Sequence, residues 1–376
     1  MRGDVRKKLL LVGGLLLVTV VLAACGADLP QNSFDPAGPT AQSEKDVLIL
    51  PLAIAAFIFV LVEGGIVYLA IKYRHKKNQE RMPKQLHGNS RLEISWTIAP
   101  AVLLAIVVVP AVSLIWRLDR VPPEAMQIKV EGYQWWWGFQ YLDEDMKVDY
   151  GDKGPITTAD VLVIPAGPTI NLQLAAMGGG ARNDQNVPDH VVIHSFWAPR
   201  LFGKQDVIPG ASGADNHIVF SAWQPGTYYG QCAEFCGLQH AIMKFRIIAL
   251  DATDWQAWVT DHKQPAATPT DDLARQGMDL FLGSNNEGGW CIACHAIGGT
   301  SAAANAGPNL TKFADPTHEC WAGCLEETFV DGQPNRDVVA QWLRDPSSLK
   351  MGAKMPNYHL SGEQINALVA YLYTLS

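Results

Sequence analysis

Residues 231–245 read QCAEFCGLQHAIMKF, which sets Cys232, Cys236, His240 and Met243 in the pattern C-x-E-x-C-x3-H-x2-M. Two thiolates, an imidazole and a thioether make a soft donor set that suits copper and not calcium or magnesium. A mononuclear blue-copper centre takes one Cys, two His and a distant Met. The second Cys, four residues after the first, therefore points to two coppers bridged by two thiolates. Such a centre needs one more histidine, and His194, in VIHSFW, is the candidate. A structural zinc site also accepts two Cys and two His, but its spacings pair like ligands at short range and leave Met243 unused.

A second chemical motif lies further on. CIACH (291–295) has the C-x-x-C-H form of c-type haem attachment, with Cys291 and Cys294 forming thioethers and His295 as the proximal ligand. A redox or zinc C-x-x-C is disfavoured, because His295 follows at once and no second C-x-x-C appears downstream. Cys320 and Cys324 have no His after them and read as a local disulfide of an exported chain. Helical patterns bracket the haem motif. TDDLARQGMDLFL precedes it with Thr270 as cap, and SGEQINALVAYLYTL ends the chain with a Ser361/Gln364 capping box.

The elements that must position these groups are written in the rest of the chain, whose 376 residues suffice for two or three domains. It is 48% hydrophobic and only 18% charged, and the apolar excess is local. Residues 1–24 form a secretory leader with a basic start (Arg2, Arg6, Lys7, Lys8) and an apolar stretch. The small residues before Cys25 resemble a bacterial lipoprotein signal, and 25–46 would be an exported N-terminal segment. Residues 47–71 hold one charge, Glu63, and 94–116 hold none; each is long enough to cross ~30 Å of hydrocarbon. Between them the loop 72–93 carries seven Lys or Arg, which makes it cytoplasmic and places everything after the second span outside. A carboxylate at mid-span is expensive in lipid, so Glu63 has either a proton role or a neutral, hydrogen-bonded one.

Over 124–262 the chain turns to short β-branched segments bounded by Gly and Pro, such as VLVIP, HIVFSA and MKFRIIAL. They predict an antiparallel sandwich. A Pro/Thr/Ala linker at 263–270 is semi-rigid, and a haem unit follows at 271–376.

The copper pattern, together with VIHSFW and QWWW (134–137), resembles the binuclear copper (CuA) domain of cytochrome c oxidase subunit II, over roughly residues 45–262. GPNL (307–310) and MPNY (355–358) resemble the loops of class I cytochromes c. The resemblance implies a multidomain membrane protein: a two-helix transmembrane hairpin, an all-β cupredoxin-like sandwich and an all-α cytochrome c domain. It implies that Cys232 and Cys236 bridge the coppers, that His194 and His240 serve one copper each, and that Met243 and the Glu234 backbone carbonyl complete the shells. It makes Met355 the distal haem ligand, with Met351 the chief competitor and His318 and His359 behind it. Trp135 would be the surface aromatic at which electrons arrive, although a tethered haem here alters its use. Glu93, in LEISWTIAP, would help proton uptake by the catalytic subunit; a Glu favoured by a helix N-terminus is the plainer reading. A magnesium ion at the interface with subunit I would take the Glu234 carboxylate, with Asp206 of KQDVIPG nearby. One departure is AAMGGGARNDQNVPDH (175–190), which lengthens the approach to His194 and adds His190, read as a strand or loop residue.

The function so implied is that of the electron-transfer subunit of a respiratory oxidase. Electrons would pass from an external donor by haem c and CuA to subunit I, which reduces O2 to water with proton translocation. Expected partners are oxidase subunits I and III, membrane lipids, and a donor that is a quinol–cytochrome c reductase or a small electron carrier. The expected location is the bacterial cell membrane, multi-pass, with both redox domains outside. The net charge of −8 grows more negative once the leader is removed, which argues against nucleic acid. From Thr270 onward, twelve acidic and six basic residues form a surface that attracts a basic carrier. Two rival readings are a CuA protein like nitrous oxide reductase and a membrane-anchored copper/haem carrier or copper chaperone outside an oxidase. The first is opposed by the two spans and by a total of ten histidines.

Overall fold

The computed structural model describes residues 13–14, 29–74, 85, 87–151, 153–178, 191–211, 216–284 and 288–376. The lipoprotein signal with Cys25, most of the basic loop, and His190 lie outside the described residues.

Helices α1 (Pro39–Lys72) and α2 (Ser90–Leu118) are each long and apolar enough to cross a membrane. With 34 residues at ~1.5 Å each, α1 is roughly 50 Å long and outruns ~30 Å of hydrocarbon. Its outer turns dock on the next domain. The Ala41 N–H donates to the Leu201 carbonyl (3.2 Å), the Thr40 hydroxyl to that of Val219 (3.0 Å), and Glu44 accepts from the Gly203 N–H (3.0 Å). From residue 39 on, the expected N-terminal segment is therefore the outer end of the first helix. α2 is capped by Asn89, whose side chain accepts from the Leu92 N–H (3.3 Å).

Ten strands form the sandwich: β1 (Met126–Tyr133), β2 (Trp136–Tyr141), β3 (Thr157–Ala159), β4 (Val161–Pro165), β5 (Ile170–Ala176), β6 (His194–Ala198), β7 (Phe202–Val207), β8 (His217–Phe220), β9 (Gly226–Cys232) and β10 (Lys244–Leu250). One sheet has the order β3-β2-β1-β5-β8 and the other β4-β10-β9-β6-β7. The sheets are mixed, not antiparallel throughout, because β1 runs parallel to β5 and β4 to β10. Between β3 and β5 the chain crosses to the other sheet as β4, and it returns beside β1 in the same direction. Alternating hydrophobicity fixes which face of a strand is buried; it does not set the direction of the neighbour. Between the sheets Phe196 stacks on Phe245 at 3.9 Å, with Trp137 edge-on to Phe196 at 4.9 Å.

Helix α3 (Ala252–His262), which the sequence reading did not foresee, follows at once. The Asp251 side chain caps it by accepting from the N–H groups of Thr253 and Asp254, and Trp258 packs on Tyr141 at 5.3 Å. The last domain contains α4 (Asp272–Leu282), α5 (Arg336–Arg344), α6 (Pro346–Leu349) and α7 (Gly362–Leu372). Asp271, not Thr270, caps α4, accepting from the Ala274 N–H at 2.9 Å. Thr270 contributes only its carbonyl, to Arg275. The Ser361/Gln364 capping box opens α7. Where α4 crosses α7, Gly277 lies against the Ala367 backbone, a contact that leaves no room for a Cβ. Cys320 and Cys324 form a disulfide, and both sulfurs are buried against the core of the sandwich.

Candidate copper and haem centres

The copper set assembles where three strands end. Cys232 closes β9, the loop after it returns to β10 through a 3-10 turn at His240–Ile242, and His194 opens β6, which pairs with β9. The Cys232 Sγ lies 3.8 Å from the Cys236 Sγ and 3.9 Å from the His194 Nδ1. The Cys236 Sγ lies 3.7 Å from the His240 Nδ1 and 3.8 Å from the Met243 Sδ. The Glu234 carbonyl oxygen is 3.3 Å from the Cys232 Sγ. Thus one thiol faces one histidine and the backbone oxygen, while the other faces the second histidine and the thioether. His194, Cys232, Cys236 and Met243 are buried.

This donor chemistry fits a pair of coppers. A Cys ligand must be a thiolate, and the pKa of the Cys232 thiol is held well below the usual thiol range, chiefly by the hydrogen bond it shares with Cys236 and further by His194 and backbone groups. The pKa of Cys236 is pushed up by the same hydrogen bond and by burial. Small residues make the space. A Cβ on Gly132 would come within 3.0 Å of the His194 ring. Gly237 sits at φ +116°, with the Trp135 ring 2.9 Å from where a Cβ would stand.

In the last domain a cavity of about 530 Å³ is lined by Cys291, Cys294, His295 and Met355. The His295 Nδ1 pairs with the Pro308 carbonyl at 2.8 Å, which leaves Nε2 as the lone-pair nitrogen. Burial pushes the pKa of His295 down, favouring the neutral ring that a metal requires. Gly307 lies under that ring, where a Cβ would come within 2.8 Å of it. The Met355 Sδ accepts from the Trp342 indole N–H at 3.0 Å. Met351 is 71% exposed and, like His359, lines no part of the cavity, whereas His318 does. Two free thiols, an oriented imidazole and a thioether in one apolar cavity fit a covalently held haem.

The cavity is not closed by its own domain. Gln134, Trp135, Trp136 and Gln239 of the sandwich form one wall. Trp135 is therefore not a surface aromatic: only 9% of it is exposed, because the cytochrome domain covers it. It belongs to the turn before β2, and its Nε1 donates to the Cys236 carbonyl at 2.9 Å, beside a second bond from the Gln134 amide at 2.8 Å. Of its neighbours, Trp137 enters the core and Trp136 stacks on Tyr133 at 4.2 Å. Glu93 is not part of this assembly. It lies at the opposite end of α2, where its carboxylate accepts from the Asn89 N–H at 3.0 Å.

Several residues of this junction carried no signal in the sequence. Lys350 is buried and donates to the carbonyls of Trp135 (2.9 Å) and Ala322 (2.8 Å). Burial lowers its pKa to about 8 despite the neighbouring Asp160, whose own pKa is raised by burial. The Asp160 carboxylate accepts from the Gly323 N–H of the disulfide loop (2.6 Å) and the Trp137 N–H (3.0 Å). Gln239, inside the copper loop, donates to the Met351 carbonyl at 3.0 Å. No local pattern distinguishes Lys350 from a solvated lysine beside a helix end.

Residues 126–250 match the family model of the cytochrome c oxidase subunit II periplasmic domain, residues 30–114 that of its transmembrane domain, and residues 289–376 that of cytochrome c. The cytochrome c oxidase subunit 2 of Alkalihalophilus pseudofirmus is 37% identical over 368 residues, 96% of this chain and 95% of that one. The chain belongs to the cytochrome c oxidase subunit 2 family. The corresponding protein of Bacillus subtilis is 31% identical over 95% of both chains. The quinol oxidase subunit 2 of Bacillus anthracis is 28% identical over 69% of this chain and 83% of its own. Among solved structures, the periplasmic domain of subunit II from Bradyrhizobium japonicum aligns with 38% of this chain and 97% of its own, at 26% identity and a TM-score of 0.30. The chain thus carries a cytochrome c domain behind its subunit II periplasmic domain. It is a membrane protein whose periplasmic domain lies outside, and its domains imply CuA and haem c.

Proposed function

We propose that this chain is the electron relay of a haem–copper oxidase. It would take electrons from an external donor into its haem domain and hand them through its copper domain to a partner subunit that reduces O2 and moves protons. When bound, haem c and the copper pair supply reversible one-electron chemistry. Cys291 and Cys294 would anchor the haem, and His295 and Met355 would hold its iron. Cys232, Cys236, His194, His240, Met243 and the Glu234 carbonyl would hold the copper pair. The observation that carries the proposal is Trp135, whose ring lines the haem cavity while its N–H holds the Cys236 carbonyl. The apolar walls of both sites exclude water, which limits reorganisation on charge transfer.

Family membership alone does not choose the donor, since relatives are named both cytochrome c oxidase and quinol oxidase subunit 2. The acidic surface of the haem domain favours a basic carrier or docking site. Phe235, 72% exposed beside His240, leaves an apolar face of the copper loop for oxidase subunit I, with subunit III and lipid around the spans. In this reading the chain crosses the membrane twice, with 72–93 inside. Glu93, at the inner end of α2, sits where proton uptake would begin. The Glu234 carboxylate and Asp206 belong to no ligand cluster among the described residues, so a magnesium ion there would need ligands from subunit I.

The test is the oxidase with Cys291→Ser and Cys294→Ser. Copper content should be unchanged, while oxidation of the native donor should slow strongly. Oxidation at the full rate would overturn the serial order.

A further inference from the structure

A second cluster of metal-ligating side chains lies at the junction of the two domains, beside the wall of the haem cavity. His262 is the last residue of α3, and Asp315 and His318 lie in the cytochrome domain. One ligand atom from each comes within 4.8 Å of the other two. The His262 Nδ1 lies 3.0 Å from the Trp258 carbonyl one helical turn back, so it carries the proton of the neutral ring and Nε2 carries the lone pair. That lone pair faces the Asp315 Oδ2 at 3.2 Å. Asp315 cannot turn away, because its Oδ1 accepts from the Thr317 N–H (2.6 Å) and hydroxyl (2.7 Å). Two buried acceptors therefore point at each other, and the His318 Nδ1 beside them is also enclosed without a hydrogen-bond partner. Such a constellation requires a positive species in its middle.

A proton is the simplest candidate, and it is disfavoured. A proton shared by the His262 Nε2 and the Asp315 Oδ2 would satisfy those two atoms and leave the enclosed His318 Nδ1 without a partner. Lys312 is close, but its ammonium is engaged by Asp261 (2.8 Å) and the Ser376 carbonyl (3.1 Å). A divalent metal satisfies all three groups at once. Bonds of ~2.0–2.1 Å in a tetrahedron set ligand atoms about 3.3 Å apart, close to the observed 3.2 Å. Two imidazoles and a carboxylate, without sulfur, suit a borderline divalent ion, and zinc accepts all three in a four-coordinate site.

We propose that His262, Asp315 and His318 bind one zinc ion that clamps the cytochrome domain to the copper domain. The Nδ1-to-carbonyl bond of His262 and the Thr317 bonds to Asp315 are the outer contacts that orient the ligands. His318 also lines the haem cavity, so the clamp lies on the side of the junction that holds the haem.

The test uses the complete oxidase, purified with a chelator under conditions that preserve the haem and copper absorption bands, then titrated with zinc chloride alone. Wild type should bind one more zinc per chain than His318→Gln, and Asp315→Asn should bind that zinc at least ten-fold more weakly. The zinc X-ray absorption edge should report nitrogen and oxygen neighbours only. Equal zinc binding by wild type and both variants would overturn the proposal, as would sulfur in the zinc shell, which would place the ion at the cysteines. Should a variant lose its haem band, the wild-type titration decides alone: no zinc with a nitrogen and oxygen shell means no clamp.

Discussion

The copper loop and the haem cavity solve one problem, holding a redox metal away from water, in different ways. Five of the six copper-set residues come from a single run between Cys232 and Met243, and the sixth is on the strand paired to it. Their positions follow from strand register and a tight loop inside one domain. The haem cavity draws its ligands from both ends of a domain, Cys291 to His295 and Met355, and borrows a wall from another. Its last wall is Trp135, which also braces the copper loop. The copper centre is thus local and self-contained, while the haem site is complete only when the domains dock.

The sharpest test of self-containment is Cys232→Ser. A bridging thiolate has no substitute, so copper analysis of the purified oxidase should fall from two copper-centre ions per chain to none, with the haem band intact. A variant that kept one firmly held copper would break the binuclear reading. At the haem, Met355→Ala should abolish the sulfur-to-iron absorption band of the oxidised protein and lower the potential, whereas Met351→Ala should leave both unchanged. Were Met351→Ala the damaging change, the exposed sulfur would have to swing into the cavity.

The dependence of the haem wall on docking is probed by Lys350→Met. It leaves the Trp135 and Ala322 carbonyls without their buried donor, a loss of about 1–3 kcal/mol for each unsatisfied group. Thermal unfolding followed at the haem band should show it, while the copper count stays the same. The same lysine gives a pH signature. Its folded pKa of about 8 lies below the ordinary 10.5, so between those values the unfolded chain binds more protons and stability rises with pH. Below about 8 both states are protonated and the slope vanishes. A wild-type minus Lys350→Met difference in Tm that is flat from pH 8 to 10 would contradict this. The smallest effect expected is from Trp135→Phe, which keeps a ring in the wall but removes the N–H donated to Cys236. One hydrogen bond of ~1 kcal/mol should yield a few-fold change in interdomain electron transfer, measured by flash reduction.

Much of the site was readable because its chemistry is written in spacing. C-x-E-x-C-x3-H-x2-M and C-x-x-C-H name their metals through donor type, and the two spans name their solvent through length and charge. Some elements of the fold were read imperfectly, and for physical reasons. Thr270 and Asp271 are adjacent cap-competent residues, and only backbone geometry decides that the Asp271 carboxylate reaches the Ala274 N–H. The parallel pairs β1–β5 and β4–β10 depend on which sheet β4 joins, and alternation along a strand carries no information about that.

What the sequence determined alone is the inventory of candidate ligands, the cofactor chemistry they imply and the order of the domains, because each rests on residues close together in the chain. Tertiary structure decided everything at the junction. It buried Trp135, brought Lys350 to its carbonyl across 215 residues, and set His262 against Asp315 and His318. Those contacts form because docking two surfaces buries polar groups that must then find partners. Partners chosen in that way are fixed by shape and distance in space, which neither periodicity nor motif spacing encodes.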